Sequence, residues 1–262
     1  MGAKINKNKR GQLTILIILA LIIVVVLALI IGFMQNKNAA TVDYSEKPQA
    51  YIESCIRDVL QKAEGEILKA NGYPNIQDNY ILYSSNYAGE KVPYLCKVSL
   101  FYTPCINQEP MIIEKIRKDM ENLTRKDIEI CFTELSTLLK KKGVEVNEDT
   151  TNFEINFLGD SISANINKKL TIKKGETTQI FEKFTAKIKS PLYALVDTAR
   201  NIVNYESATC DFNSLNWELH NPDIQIRKFV SGEQTKIYTL IDKNSAKQFS
   251  FAVRTCVLPA GI

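Results

Sequence analysis

The chain has 262 residues, of which 45% are apolar and 24% charged, values typical of a packed globular protein. This composition excludes an intrinsically disordered, collagen-like or low-complexity chain. The net charge of +4 is carried by cationic side chains within residues 1–34, a segment without acidic residues, and the rest of the chain is balanced. Nucleic-acid-binding proteins concentrate positive charge on their folded part, so the sequence predicts no nucleic-acid partner.

An uninterrupted apolar segment lies near the N-terminus. Residues 15–31 contain only Ile, Leu and Val apart from two alanines, and the apolar stretch continues to Met34. Twenty helical residues span roughly 30 Å, the thickness of the hydrocarbon layer of a bilayer. We therefore predict a transmembrane helix over residues 12–34, with the lipid bilayer as its partner. A cleaved secretory signal is the alternative, although its apolar core is usually shorter, about 7–15 residues.

The charges that flank this segment predict its orientation. The cationic residues before it are Lys4, Lys7, Lys9 and Arg10, whereas only Lys37 follows closely. Positively charged flanks stay on the cytoplasmic side of a membrane. The sequence therefore predicts a cytoplasmic basic tail over residues 1–11, a single span of the cell membrane, and an extracellular remainder.

The residues around the start of the apolar segment resemble a known processing signal. Lys9-Arg10-Gly11-Gln12 followed by an apolar helix resembles the class III signal peptide of archaeal type IV pilin-like proteins. In that family a prepilin-type peptidase cleaves after the glycine, so the resemblance implies cleavage between Gly11 and Gln12. Loss of the charged tail would let the helix enter a filament core. Bacterial-type pilins often carry Glu at the fifth mature position, which here is Leu16, and a plain signal anchor is the alternative.

A looser resemblance runs along the whole chain. Tyr51–Ile56, Ile237–Asp242 and Phe249–Arg254 are similar to segments of uncharacterised single-pass archaeal membrane proteins that share a Gly-Gln-Leu/Val-Thr-Ile start. This resemblance implies a lineage and a location, and it implies no particular activity.

Helical patterns dominate the first half of the exported part. Residues 35–48 are polar and predict a membrane-proximal linker. An apolar stripe at helical spacing predicts a helix over residues 49–70, terminated by the segment 71–74. A second helical region is predicted from Glu109 to Gly143, and residues 122–126 could interrupt it.

Extended patterns alternate with one further helix in the remainder. Residues 75–107 predict extended or loop structure, with a strand at Tyr94–Tyr102. After Gly143 the apolar period changes to two, which predicts a β-meander with turns near residues 159–160 and 174–176 that ends at Lys189. Ser190-Pro191 provides start signals for the next helix. Three final strands are predicted near residues 223–230, 235–242 and 247–257.

Together these elements predict an α+β fold. The predicted arrangement is an N-terminal transmembrane helix followed by an extracytoplasmic domain over residues 49–262, built from amphipathic helices and antiparallel β-meanders. A boundary near residue 143 and a single body in which helices cover the sheets are both compatible with the sequence.

All the cysteines lie beyond the apolar segment, at Cys55, Cys96, Cys105, Cys131, Cys210 and Cys256. An even number confined to an exported domain favours disulfide bonds. The topology suggests the pairs Cys55–Cys131, Cys96–Cys105 and Cys210–Cys256, and six buried free thiols are the alternative. The absence of a Cys-x-x-Cys motif gives little support for metal binding or redox catalysis.

One N-glycosylation triplet is present, Asn122-Leu123-Thr124. An extracellular location would make Asn122 an acceptor candidate. The triplet falls on a predicted helix, however, and such triplets also occur by chance.

Motifs for most enzyme classes are missing. His220 is the only histidine, which excludes a two-histidine zinc site. No two glycines are spaced two apart and no Gly-Lys pair exists, so neither the dinucleotide fingerprint nor the P-loop occurs. The sequence therefore predicts no catalytic residue, metal or cofactor, although hydrolysis by paired carboxylates stays open.

The leading functional hypothesis is a membrane-anchored, non-enzymatic surface protein that acts by protein or surface contacts. On this hypothesis its partners are prepilin-type peptidase and other surface or pilin-like proteins, as a filament or adhesion component. The alternatives are an anchored exoenzyme with a pair of carboxylates, and an extracytoplasmic sensor or assembly factor. The cytoplasmic tail is too short for a signalling domain, so a sensor would need a partner.

Overall fold

The computed structural model describes residues 19–24, 26, 47–83, 89–231 and 234–258. It divides the chain into two compact units, Met1–Glu46 and Lys47–Ile262. In the first unit the described residues are helical. No helix among the described residues has the length and apolarity needed to cross a membrane, and most of the predicted span over residues 12–34 lies outside them.

The second unit begins with helix α1, Pro48–Lys69, which confirms the predicted helix. Proline is favourable at the start because an N–H in the first turn has no partner within the helix, so its absence costs no hydrogen bond. After α1 the backbone turns at Gly72, whose amide donates to the carbonyl of Ile67 at 2.8 Å with a positive φ of 80°. A Cβ at Gly72 would lie 3.0 Å from Ile116 and 3.1 Å from Phe249, so a side chain here would crowd two core residues and strain the backbone.

The second helix, α2, is continuous over Ile112–Lys141, and the interruption considered for residues 122–126 does not occur. That segment contains no Gly or Pro. Its one β-branched polar residue, Thr124, satisfies its hydroxyl by donating to the carbonyl of Met120 at 2.8 Å. The helix therefore carries one continuous buried stripe from Ile112 to Leu139, which is apolar apart from Thr124 and Ser136.

A four-stranded antiparallel sheet follows α2. Its strands are β4 (Glu145–Glu148), β5 (Asn152–Leu158), β6 (Ser161–Lys174) and β7 (Thr177–Lys189). The long strand β6 pairs with β4 and β5 in succession and with β7. The meander and both of its predicted turns are confirmed, whereas β4 was not expected from the sequence pattern.

Two helices connect this sheet to the last strands. Helix α3 spans Leu192–Thr209, as the pattern after Ser190-Pro191 predicted. The hydroxyl of Ser190 accepts from the amide of Leu192 at 3.1 Å and so satisfies one free donor of the first turn. A short helix, α4, spans Ser214–His220, where the sequence analysis predicted no helix.

The second sheet combines early and late parts of the chain. Its strands are β1 (Tyr80–Tyr83), β2 (Glu90–Lys97), β3 (Ile106–Asn107), β8 (Ile224–Val230), β9 (Lys236–Asp242) and β10 (Gln248–Arg254). The order is β1-β2-β10-β9-β8, with β3 also paired to β2. The three final strands are confirmed. All pairs are antiparallel except β2 with β10, which is parallel.

The predicted strand at Tyr94–Tyr102 is wrong in its bounds. Strand β2 ends at Lys97, and the chain then turns through residues 99–102. Tyr102 has a positive φ of 59°, which β-strands do not contain. A disulfide between Cys96 and Cys105 closes this loop, and the flanking strands β2 and β3 pair in antiparallel fashion.

The six-stranded sheet curls strongly. β1 and β8 are at opposite ends of the strand order, yet the rings of Tyr83 and Phe229 lie 5.4 Å apart. This curl buries a small second core on one face of the sheet, formed by Val92, Tyr94, Ile237 and Ala252.

The main core joins the helices to both sheets. A single cluster of buried residues includes Ile56 of α1, Phe132 of α2, Phe184 of β7 and Phe251 of β10. Residues on both sides of Gly143 therefore contribute to one core. The described residues of this unit form an α+β body with mainly antiparallel sheets, which confirms the predicted class for this part of the chain.

Candidate functional site

One cavity of the second unit lies where four connections meet, and we call it the polar cavity. It has a volume of about 630 Å³ and is lined by the Gly159–Asp160 turn, the start of α3, the α4–β8 connection and the β9–β10 turn. Its position follows from the fold, because both sheets end their strands at this edge of the body.

A buried carboxylate lies behind the wall of the polar cavity. Glu64 of α1 is 2% exposed, and its two oxygens accept from the hydroxyl of Ser190 at 2.5 Å and the ammonium of Lys247 at 2.7 Å. Burying an unpaired carboxylate costs several kcal/mol. Ser190 and Lys247 therefore compensate this charge and connect α1 to α3 and β10.

These contacts fix the orientation of the Ser190 hydroxyl group. The Ser190 hydroxyl donates to Glu64 and accepts from the Leu192 amide, while Lys247 is held by Glu64. A nucleophilic serine needs a base that accepts its proton and a free approach to its oxygen. Glu64 accepts that proton, but Ser190 is buried and its oxygen is engaged by the Leu192 amide, so the hydroxyl bridges a helix start and a buried acid.

Three aspartates also line the polar cavity, Asp160, Asp223 and Asp242. Asp242 accepts from the amide of Ser245 at 2.7 Å and from its hydroxyl at 2.5 Å, so it stabilises the β9–β10 turn. The side chain of Asp223 accepts from Asn244 at 3.4 Å. The turns and strand ends that contain these three aspartates therefore bring them to one cavity.

A second cavity, which we call the aromatic cavity, adjoins the first. It has a volume of about 450 Å³, lies between the end of α3 and α4, and shares His220 and Asn221 with the polar cavity. Rings of Tyr205, Phe212 and Trp217 line it.

A charged network lies behind the aromatic cavity. Glu206, which has no solvent exposure, accepts from Lys236 at 2.8 Å and from the hydroxyl of Tyr238. Burial and the bond to Glu206 raise the pKa of Tyr238 above its ordinary value. Lys236 also lies 3.6 Å from Asp211, and a hydrogen bond from Lys228 holds the pKa of Asp211 below its ordinary range.

Sequence reasoning missed Glu64 and Glu206, although a signal was present. Each occupies a position on the apolar stripe of its helix, four residues after Leu60 and Ile202 respectively. An acidic residue at such a position is buried and needs a partner. The partner Lys247 is 183 residues away in the chain, and local patterns contain no information about such a pair.

The cysteines form three disulfide bonds, which confirms the expectation of an oxidised domain. Cys55 and Cys131 join α1 to α2 with a Cα–Cα distance of 5.9 Å. Cys96–Cys105 closes the loop after β2, and Cys210–Cys256 links the end of α3 to the segment after β10. These are the same pairs that the sequence topology suggested.

The glycosylation candidate Asn122 lies on the exposed side of α2. The third residue of its triplet, Thr124, has no solvent exposure. In the folded protein Asn122 is therefore accessible, whereas the side chain of Thr124 is not. The predicted processing residues Gly11 and Gln12 lie outside the described residues.

Metal-binding geometry does not occur in the part of the chain that the structure describes, where no three His, Cys, Asp or Glu side chains come together as ligands. His220, the only histidine, lies at the end of α4, and its Nδ1 is 2.9 Å from the carbonyl of Asn216.

No protein-family model matches the chain, and a search of curated proteins finds no significant similarity.

Proposed function

We propose that this protein is a membrane-anchored extracellular surface protein that acts by contacts with other proteins or surfaces. The observation that carries the proposal is the set of three disulfides in the second unit. Disulfides form and persist outside the reducing cytoplasm. An apolar segment with a basic N-terminal flank precedes this unit in the sequence, and together they support an exported body on a membrane anchor.

The pilin-like branch of the proposal concerns the N-terminus. Lys9-Arg10-Gly11-Gln12 supports cleavage after Gly11 by a prepilin-type peptidase, which would leave an apolar helix at the new N-terminus. Such a helix can associate with copies of itself in a filament core.

Protease treatment of intact cells tests the location. We expect added protease to remove the C-terminal body while a cytoplasmic marker survives. Protection of the body, under conditions that digest a known exterior protein, would contradict the proposal. Co-purification from membranes in mild detergent then identifies the contact partner.

N-terminal sequencing of the native protein tests the pilin-like branch. We expect a mature chain that starts at Gln12, and we expect Gly11→Val to block this cleavage. Gly2→Val is the matched control, because it changes a glycine of the same tail away from the cleavage site. A native N-terminus at Met1 or Gly2 would leave a plain anchored protein.

A second candidate function is an anchored hydrolase of envelope polymers. The observation in its favour is that three aspartates line the polar cavity, since glycoside hydrolysis commonly uses two carboxylates. Release of reducing ends from envelope polysaccharide, lost in Asp160→Asn or Asp223→Asn, would support it. No release by the folded full chain would exclude it for that substrate.

A further inference from the structure

The aromatic cavity has the size and position of a ligand site. Its volume of about 450 Å³ falls within the range of roughly 300–1,000 Å³ that is usual for small-molecule sites. It opens between the end of α3 and the short helix α4. His220 and Asn221 also line the polar cavity, so the two cavities share part of their lining.

Three aromatic side chains provide its apolar surface. The ring of Phe212 lies 5.7 Å from that of Tyr205 and 5.8 Å from that of Trp217. Phe212 is 5% exposed and is fixed in the main core, whereas Tyr205 is 54% exposed. Aromatic faces carry partial negative charge and attract the slightly positive C–H groups of a ligand. Neighbouring rings are tilted by 56° and 55°, so the C–H groups of one ligand ring would pack mainly on the exposed ring of Tyr205.

Side-chain amides provide the polar surface. Asn213 uses its oxygen to accept from the Asn216 amide, and Asn221 uses its nitrogen to donate to the Trp217 carbonyl. The other half of each amide is left for a ligand. The side chain of Asn216 makes no hydrogen bond within the described residues, so it offers both a donor and an acceptor.

His220 adds a defined acceptor. Its Nδ1 lies 2.9 Å from the carbonyl of Asn216, and a carbonyl oxygen can only accept, so Nδ1 carries the proton. In the neutral ring Nε2 is then an acceptor. The side-chain amides and His220 therefore place uncharged hydrogen-bond donors and acceptors together in the lining of the aromatic cavity.

The lining carries little net charge. Its one carboxylate belongs to Asp211, which is paired with Lys228 at 2.7 Å and lies 3.6 Å from Lys236. No Lys or Arg is among the described lining residues. A charged ligand would find no free counter-charge, which favours a neutral one.

We infer that the aromatic cavity binds a neutral saccharide, with sugar C–H faces against the aromatic rings and hydroxyl groups against the amides. A hydroxyl group donates and accepts, as does a primary amide, so the two kinds of group are complementary. The adjoining polar cavity gives a second sugar ring room and further hydroxyl partners. This site extends the proposed contact function, but its test does not depend on the location of the protein.

Trp217 provides the readout, because it is the only tryptophan in the chain. The full chain is purified in a detergent without a sugar headgroup and titrated with neutral oligosaccharides of glucose, galactose, mannose and N-acetylhexosamines. We expect a saturable change of Trp217 emission with at least one of them. No saturable change at concentrations up to roughly 10 mM would overturn the inference.

Substitutions locate the binding. Tyr205→Ala and Asn216→Ala should each raise the Kd by about tenfold, because each removes a ring or an amide from the site. Asn204→Ala is the matched control, since Asn204 is exposed, precedes Tyr205 on α3 and does not line the cavity; its Kd should not change. Unchanged binding in both cavity variants, with melting temperature and disulfides retained, would overturn the inference. A response to peptides or charged sugars alone would also overturn it.

Discussion

The ammonium of Lys236 lies 2.8 Å from a carboxylate oxygen of Glu206, which has no solvent exposure and also accepts from Tyr238. Lys236 further donates to the carbonyl of Cys210 at 2.6 Å. One ion pair thus connects α3, β9 and the half-cystine at the end of α3. A buried pair of this kind does not by itself stabilise a protein, but removal of one member leaves an uncompensated charge.

We therefore expect Glu206→Ala to lower the free energy of unfolding by about 3–5 kcal/mol. Lys62→Met should cost less than about 1 kcal/mol, because the Lys62–Asp127 pair is exposed. The double variant Glu206→Leu/Lys236→Met should lose less free energy of unfolding than the single variants Glu206→Leu and Lys236→Met lose together. Urea denaturation measures all of these, and a cost for Glu206→Ala as small as that for Lys62→Met would refute the role of the pair.

The disulfides should stabilise the protein in the order of their loop lengths. Cys55–Cys131 spans 76 positions, Cys210–Cys256 spans 46 and Cys96–Cys105 spans 9. Chain entropy predicts contributions of about 4.5, about 4 and about 2.7 kcal/mol respectively.

Paired Cys→Ala variants test this order by urea denaturation under oxidising conditions. Each variant retains the other two bonds and so controls for loss of the oxidised state. The model of unfolded-state restriction would be contradicted if removal of the nine-position bond were the most costly change.

The stability should decrease towards acid pH in part through Asp211. The hydrogen bond from Lys228 lowers the pKa of Asp211 below its ordinary value of 3.8. The unfolded state then binds more protons than the folded state, so this stabilisation is complete above the unfolded pKa and is lost as pH falls through the folded pKa. Because the side chain is 73% exposed, the contribution should be below about 1 kcal/mol.

Melting temperatures at pH 6 and in strong acid, below the folded pKa, test this relationship. Asp211→Asn should lower the melting temperature at pH 6 and leave it nearly unchanged in strong acid. Asp78→Asn changes an exposed loop aspartate with no ion pair among the described residues, and it should have little effect at either pH. Equal losses at both pH values in Asp211→Asn would exclude the carboxylate charge as the cause.

Asn122 should not be glycosylated once the protein has folded. Its triplet lies within the unbroken helix α2, and the hydroxyl of Thr124 is buried and bonded to Met120. Intact-mass measurement of native protein should therefore show no glycan at Asn122.

The variant Gln77→Thr is the control for this prediction, because it completes an acceptor triplet at the exposed loop residue Asn75. In a glycosylating host this variant should gain one glycan. A glycan at Asn122 in the parent chain would show that modification precedes folding of α2.

Local patterns predict the helices and hairpins well. Apolar spacing locates α1 and α3 within a few residues, and turn residues locate the ends of β6. The error over residues 94–102 arises because apolar and aromatic residues there occupy a disulfide-closed turn. The parallel pairing of Tyr94 with Ala252 was not predicted, since it joins segments far apart in the chain.

The candidate sites were less predictable than the fold. The cysteine pairs followed from the order of elements, but the aromatic cavity depends on α4, whose seven residues are too few for a periodic pattern. Tyr205 and Trp217 belong to different helices, and only their packing against Phe212 brings them together.

The last strand among the described residues, β10, is at the centre of the six-stranded sheet, between β2 and β9. Ribosomes release the N-terminal part of a protein first. The sheet therefore cannot close until β10 has been synthesised, and Cys210 cannot pair until Cys256 has emerged from the ribosome. Truncation before Gln248 would leave β2 and β9 without their shared neighbour, so such partial chains should remain open to chaperones and proteases.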